Sequence, residues 1–201
     1  SLIQDKDNFY GYFLFQMVRE IRFDISTATG VNFKGAKYVI YFNPILFLQL
    51  NIDEMESTIK HEILHILSLH LFRAKDLKGK YSTLAINLAM DIVVNQYLNN
   101  LPPESITIKD VNLKYSLELE PYNSLEYYAE KIQEQLSLMD EDKNGEEDDT
   151  LEESIHDIWD ESDNVDESVV KEFTERIIKN ADRGQLSSVI SDMIKNLKNS
   201  N

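Results

Sequence analysis

The chain has 201 residues, 42% apolar and 28% charged, enough for one globular domain with a sizeable core and too apolar for a chain disordered throughout. It has no cysteine, which excludes disulfide frameworks, thiol nucleophiles and cysteine zinc knuckles. Against 36 acids stand 20 bases, a formal charge of −16, and no basic face of the kind that phosphate neutralisation requires, so nucleic acid is not an expected partner.

The opening Ser1-Leu2-Ile3-Gln4-Asp5-Lys6 lacks a basic region followed by an apolar core, so no secretory signal is read there. No run approaches the length of a membrane span, so no membrane partner is expected and the expected location is cytoplasmic. Phe9, Phe13, Met17 and Ile21 recur at four-residue steps and predict a helix over about Asn8 to Asp24. Ser26 to Gly35 is turn-rich. Lys37-Tyr38-Val39-Ile40-Tyr41-Phe42-Asn43 is β-branched and aromatic, a strand stopped at Asn43-Pro44. A helix should start near Asn51 or Asp53, with Asp53, Glu54 and Glu56 where the helix dipole favours acids, and run to about Leu69. A loop over Arg73 to Lys80 leads to a helix from Ser82 to Leu98, which Pro102-Pro103 ends. Ile106 to Val111 reads as a short strand. Ser124 caps a helix from Leu125 to Leu138, with Leu125, Tyr128, Ile132 and Leu136 on one face.

From Asp140 to Glu167 there are fifteen acids and one base, Lys143, so nearly all the net charge sits in this stretch. So dense a like charge reads as a mobile acidic segment. Asp140-Glu141-Asp142-Lys143-Asn144-Gly145 resembles the opening of a calcium-binding loop, but Leu151 stands where a bidentate Glu is needed, so a solvated loop is the better reading. Two helices should follow, Asp166 to Asp182 and Leu186 to Leu197, with Gly184 between them. The expected organisation is a domain over 1–139, an acidic segment over 140–165, and a helical pair over 166–201 that packs on the same domain.

His61-Glu62-Ile63-Leu64-His65 carries the chemistry. On a helix His65 lies about 40° and Glu62 about 100° from His61, so all three share one arc. Two imidazoles one turn apart can ligate one zinc ion, and Glu62 can act as general base towards a zinc-bound water. Flanking Ile59, Ile63, Leu64, Ile66 and Leu67 embed the helix, where unpartnered polar groups are costly. The plainer alternative is a pair of hydrogen-bonded core histidines. A third ligand must come from elsewhere. Asn87, Asp91 and Asn95 form a ridge on an otherwise apolar helix, and Asp91 is its only acid. Asp91 is the candidate, against a salt bridge to Arg73 or a capping role. His70 competes, but on a continuous helix it lies about 180° from His61 and faces away.

Phe42-Asn43-Pro44, His61 to His65 continuing to His70 and Arg73, Ala85 to Asn95, Leu101-Pro102 and His156-Asp157-Ile158-Trp159 are together similar to a known group. The chain resembles the zinc metallopeptidase domain found in bacteria and phages upstream of a von Willebrand factor A-like domain. The resemblance covers most of the chain. It implies a minimal zincin-like fold, α+β and mostly helical, with a small sheet and the active-site helix carrying the His-Glu-x-x-His motif. It implies peptide hydrolysis and implicates His61, Glu62 and His65, with His70, Asp91 and Asn95 also on motif positions. It further raises a separate von Willebrand factor A-like or ATPase partner. In such folds an extended peptide substrate adds to an edge strand beside the cleft, and Lys37 to Asn43 is the expected edge. His156, flanked by Ile155, Ile158 and Trp159, is a candidate to donate a hydrogen bond to the oxyanion at the cleft. The alternative is that Trp159 anchors the segment and His156 is merely exposed. A second function class also stands: a non-catalytic, zinc-stabilised protein-binding module that uses the acidic segment.

Overall fold

The computed structural model describes residues 8–142 and 167–180. In chain order these form α1 (Asn8–Phe15), β1 (Val18–Ile21), β2 (Thr29–Lys34), β3 (Lys37–Phe42), α2 (Pro44–Phe47), α3 (Ile52–Leu67), α4 (His70–Leu77), α5 (Thr83–Asn95), α6 (Ile108–Tyr115), α7 (Leu125–Asp142) and α8 (Glu167–Asn180). The architecture is α+β, mostly helical, with a three-stranded sheet in the order β1-β3-β2. Helix α8 falls within the first of the two expected C-terminal helices; the second, like nearly all of the acidic segment, lies outside the described residues.

The sheet departs most from the sequence expectation. Phe9, Phe13 and Met17 are buried as the four-residue spacing predicts, but Ile21 is 64% exposed. Helix α1 stops at Phe15, and Val18–Ile21 becomes a strand parallel to β3, with Val18 opposite Val39 and Ile21 opposite Phe42. The four-residue periodicity continued by accident into a segment that tertiary pairing claims. Strand β2 arises inside the supposed turn region and pairs antiparallel with β3, from Thr29 opposite Phe42 to Lys34 opposite Lys37. Gly35, at φ 67°, opens their two-residue turn, where a positive φ is needed. Strand β3 is therefore the central strand and not an edge. Its side chains alternate: Tyr38 and Ile40 join the main core, while Val39 and Tyr41 pack with Ile25 on the opposite face. Arg22 lies over the Tyr41 ring and makes two hydrogen bonds to Asp24, which hold that carboxyl below its usual range.

Helix α3 begins with a capping box between Asn51 and Glu54. From Glu62 to its end it is wholly buried, against β2 on one side and α5 on the other. Helix α5 starts at the Ser82 cap and is buried without interruption from Ala85 to Ile92. Helix α7 packs against it through Leu125, Tyr128 and Ile132, all buried as expected, with Leu136 partly so. The Tyr128 hydroxyl donates to the Glu120 carbonyl at 2.6 Å and accepts from the Asn123 N–H at 3.0 Å.

Two further elements differ from the sequence expectation. Arg73 to Lys80 is not a loop: α4 occupies most of it and buries Leu71, Phe72, Ala74 and Leu77, an amphipathic helical pattern. Ile106 to Val111 is not a strand: Thr107 caps α6 by accepting from the Asp110 N–H. The Thr-x-x-Asp spacing was the available signal. No helix among the described residues is long and apolar enough to cross a membrane.

Candidate metal centre

Helices α3 and α5 run antiparallel past one another, and their polar residues meet at matching four-residue steps. His61 faces Asn95 and His65 faces Asp91. Four residues advance each helix by about 6 Å, so a ridge on one keeps register with a ridge on the other. His65 Nε2 lies 2.8 Å from His61 Nε2 and 3.1 Å from Asp91 Oδ1, and His61 Nε2 lies 3.5 Å from the same oxygen. Among the described residues, His61, His65 and Asp91 are the one group of histidine and carboxylate ligand atoms close enough to share an ion, all within 4.8 Å of one another. His65 and Asp91 are buried, and the His61 side chain is 17% exposed, so the cluster has one side towards solvent.

The donor chemistry fits a divalent metal. Two imidazole nitrogens and a carboxylate oxygen at these separations point lone pairs at each other. They repel unless a proton or a metal ion lies among them. Two nitrogens and one oxygen, with an open side, match the three-ligand pattern of a hydrolytic zinc site. Arg73 puts its guanidinium on both oxygens of Glu126 at 2.8 Å, and Asp91 lies mid-helix, far from the Ser82 cap.

Glu62 projects beside the histidines and is 8% exposed. The Thr29 hydroxyl, at the start of β2, donates to Glu62 Oε1 at 3.1 Å. That contact ties the sheet to the helix at the carboxylate. The strand beside α3 is thus β2, which lies at the sheet edge in place of the expected Lys37–Asn43 segment.

His70 does not face away. Leu69 adopts a left-handed conformation (φ 53°, ψ 33°), which ends α3 and starts α4 at His70. The reversal brings His70 Nδ1 to 2.8 Å from His65 Nδ1, on the ring edge opposite the ligand cluster. Helical-wheel angles assumed a continuous helix, and a leucine in this conformation gives no sequence warning. Asn95 and Thr29 also went unassigned: Asn95 was visible as part of the ridge, whereas Thr29 needed β2 to be recognised. His156 lies outside the described residues.

A family model described as a putative metallopeptidase domain matches residues 14–188. No curated protein and no solved structure matches the chain.

Proposed function

The chain belongs to the putative metallopeptidase domain family, and from that premise we propose that it is a zinc-dependent peptidase in which His61, His65 and Asp91 hold the metal and Glu62 is the general base. The observation that carries this reading is the convergence of His61 Nε2 and His65 Nε2 from α3 with Asp91 Oδ1 from α5, at the buried end of α3 that also carries Glu62. Zinc in such a site supplies Lewis acidity and brings the pKa of water towards neutrality. Glu62 then takes the proton from the attacking water and passes it to the departing amine, so the carboxylate ends the cycle as it began. The Thr29 hydroxyl donates to Glu62 Oε1 and so helps to orient the carboxylate for proton transfer. The extended substrate adds along β2, the edge strand whose first residue, Thr29, bonds to Glu62. Asp91 adds the negative charge that favours retention of a divalent ion over an empty pair of imidazoles.

The test uses an unfolded protein substrate such as reduced, denatured casein. Hydrolysis should require stoichiometric zinc, stop on chelation and return on zinc addition. Glu62→Gln should abolish it while zinc stays bound. A zinc-loaded wild type with no hydrolysis, or a Glu62→Gln variant as active as wild type, overturns the enzymatic reading. The first result would favour the zinc-stabilised binding module.

A further inference from the structure

We propose that Asn95 and His70 are positioning residues, each fixing the proton and the ring orientation of one metal-site histidine so that both Nε2 lone pairs face Asp91. The inference rests on the zinc reading of His61 and His65. It deepens that reading by assigning what stands behind each ring.

The Asn95 carboxamide is oriented by its surroundings. Its Nδ2 donates to the Ile106 carbonyl at 2.7 Å, so the opposite end, at 2.7 Å from His61 Nδ1, is the oxygen. An amide oxygen only accepts. His61 Nδ1 must therefore carry a proton, which leaves the lone pair on Nε2, the atom nearest His65 and Asp91.

The second ring follows by the same logic. Between His65 Nδ1 and His70 Nδ1, 2.8 Å apart, one nitrogen donates and the other accepts. His65 Nε2 lies within the ligand cluster, so its lone pair belongs there and its proton belongs on Nδ1. On the zinc reading His70 would then accept at Nδ1, with its own proton on Nε2. His70 is fully buried, and the left-handed turn at Leu69 sets it in place. The two supports differ in origin: Asn95 comes from the ridge of α5, His70 from the first residue of α4. A ligand imidazole whose far nitrogen donates to a fixed acceptor is better oriented and more basic, and losing that acceptor weakens metal binding by about 10–100-fold.

The experiment combines zinc competition against a chelator with proton–nitrogen NMR of the histidine rings in the zinc-loaded full chain. In the wild type both His61 and His65 should show slowly exchanging, downfield Nδ1–H signals. Asn95→Leu should weaken zinc by about 10–100-fold and shift or broaden the His61 signal alone. His70→Leu should do the same to His65 alone, and His70→Gln, which keeps an acceptor, should restore both affinity and signal. Unchanged affinity and unchanged ring signals in the two leucine variants overturn the proposal. A wild-type ring protonated on Nε2 also overturns it, and that reading needs no variant to fold. A wild type that takes up no zinc at His61 and His65 defeats the metal reading first. Neither readout uses hydrolysis, so a chain that binds zinc without cleaving peptides fails the enzymatic reading alone.

Discussion

Helices α3 and α5 each carry polar residues at four-residue steps, yet they come to the site by different routes. Helix α3 starts exposed, with Asn51, Ile52 and Asp53 in solvent, sinks into the core by Glu62 and breaks two residues after its last turn. Helix α5 is interior for nearly its whole length and does not break. The two histidines sit on the helix with the longer exposed start, and Asp91 sits on the one that is interior for most of its length. A buried carboxylate is costly unless a cation meets it, so its position on the inner helix ties α5's packing to whatever occupies the site. Both helices are capped and both have a buried stretch, so a change at the exposed cap of α3 and a change in the buried stretch of α5 should differ in cost.

The largest effects should come from the shared cluster. Glu62→Gln should lower peptide hydrolysis by about 10²–10⁴-fold with zinc content unchanged, measured by elemental analysis beside a cleavage assay. On the proposed zinc reading, Asp91→Ala removes a ligand and should weaken zinc by more than the about 10–100-fold expected from losing a supporting group. Retention of tight zinc in that variant would break the pairing of the two helices as one site. Next comes packing. Leu88→Ala on α5 should cost about 2–5 kcal/mol in denaturant unfolding, because Leu88 is 2% exposed within a helix surrounded by core. On α3 the matching lever is the cap: Asn51→Ala should cost about 1 kcal/mol, since the Glu54 N–H loses its acceptor. Equal costs would erase the contrast between the helices. Smallest is Arg73→Ala, worth less than about 1 kcal/mol as a partly exposed pair with Glu126. It should leave zinc affinity untouched; a change there would tie Arg73 to Asp91 after all.

What the sequence made legible follows from where the signal is local. The start of α3, the strand from Lys37, the start of α5 near Ser82 and the buried face of α7 all rest on neighbouring residues, and all four appear where the sequence points to them. The cluster of His61, His65 and Asp91 was legible too, because a helical period brings i and i+4 together and a lone acid on an apolar helix asks for a cation. Non-local pairing was not legible. Val18–Ile21 gave no hint that it would lie along Val39–Phe42, since one more four-residue step made it look helical. The fate of His70 was hidden for a related reason. Nothing in Ser68-Leu69-His70 marks the left-handed residue, which ordinarily calls for glycine or asparagine. Around Thr107, by contrast, the capping signal was present and a β-branched Ile106 outweighed it.

The two-residue turn at Gly35 and Ala36 also sets a sequence of events in time. Strands β2 and β3 are joined directly, so their hairpin can close within about 1–10 μs, before any distant contact is made. Strand β1 pairs with β3 in parallel, Val18 with Val39, and so must wait for the hairpin to present its far edge. If β1 docks after the hairpin, it contributes little to the rate-limiting ensemble. Substitutions such as Val18→Ala should therefore register in how fast the molecule comes apart, with hardly any change in how fast it assembles.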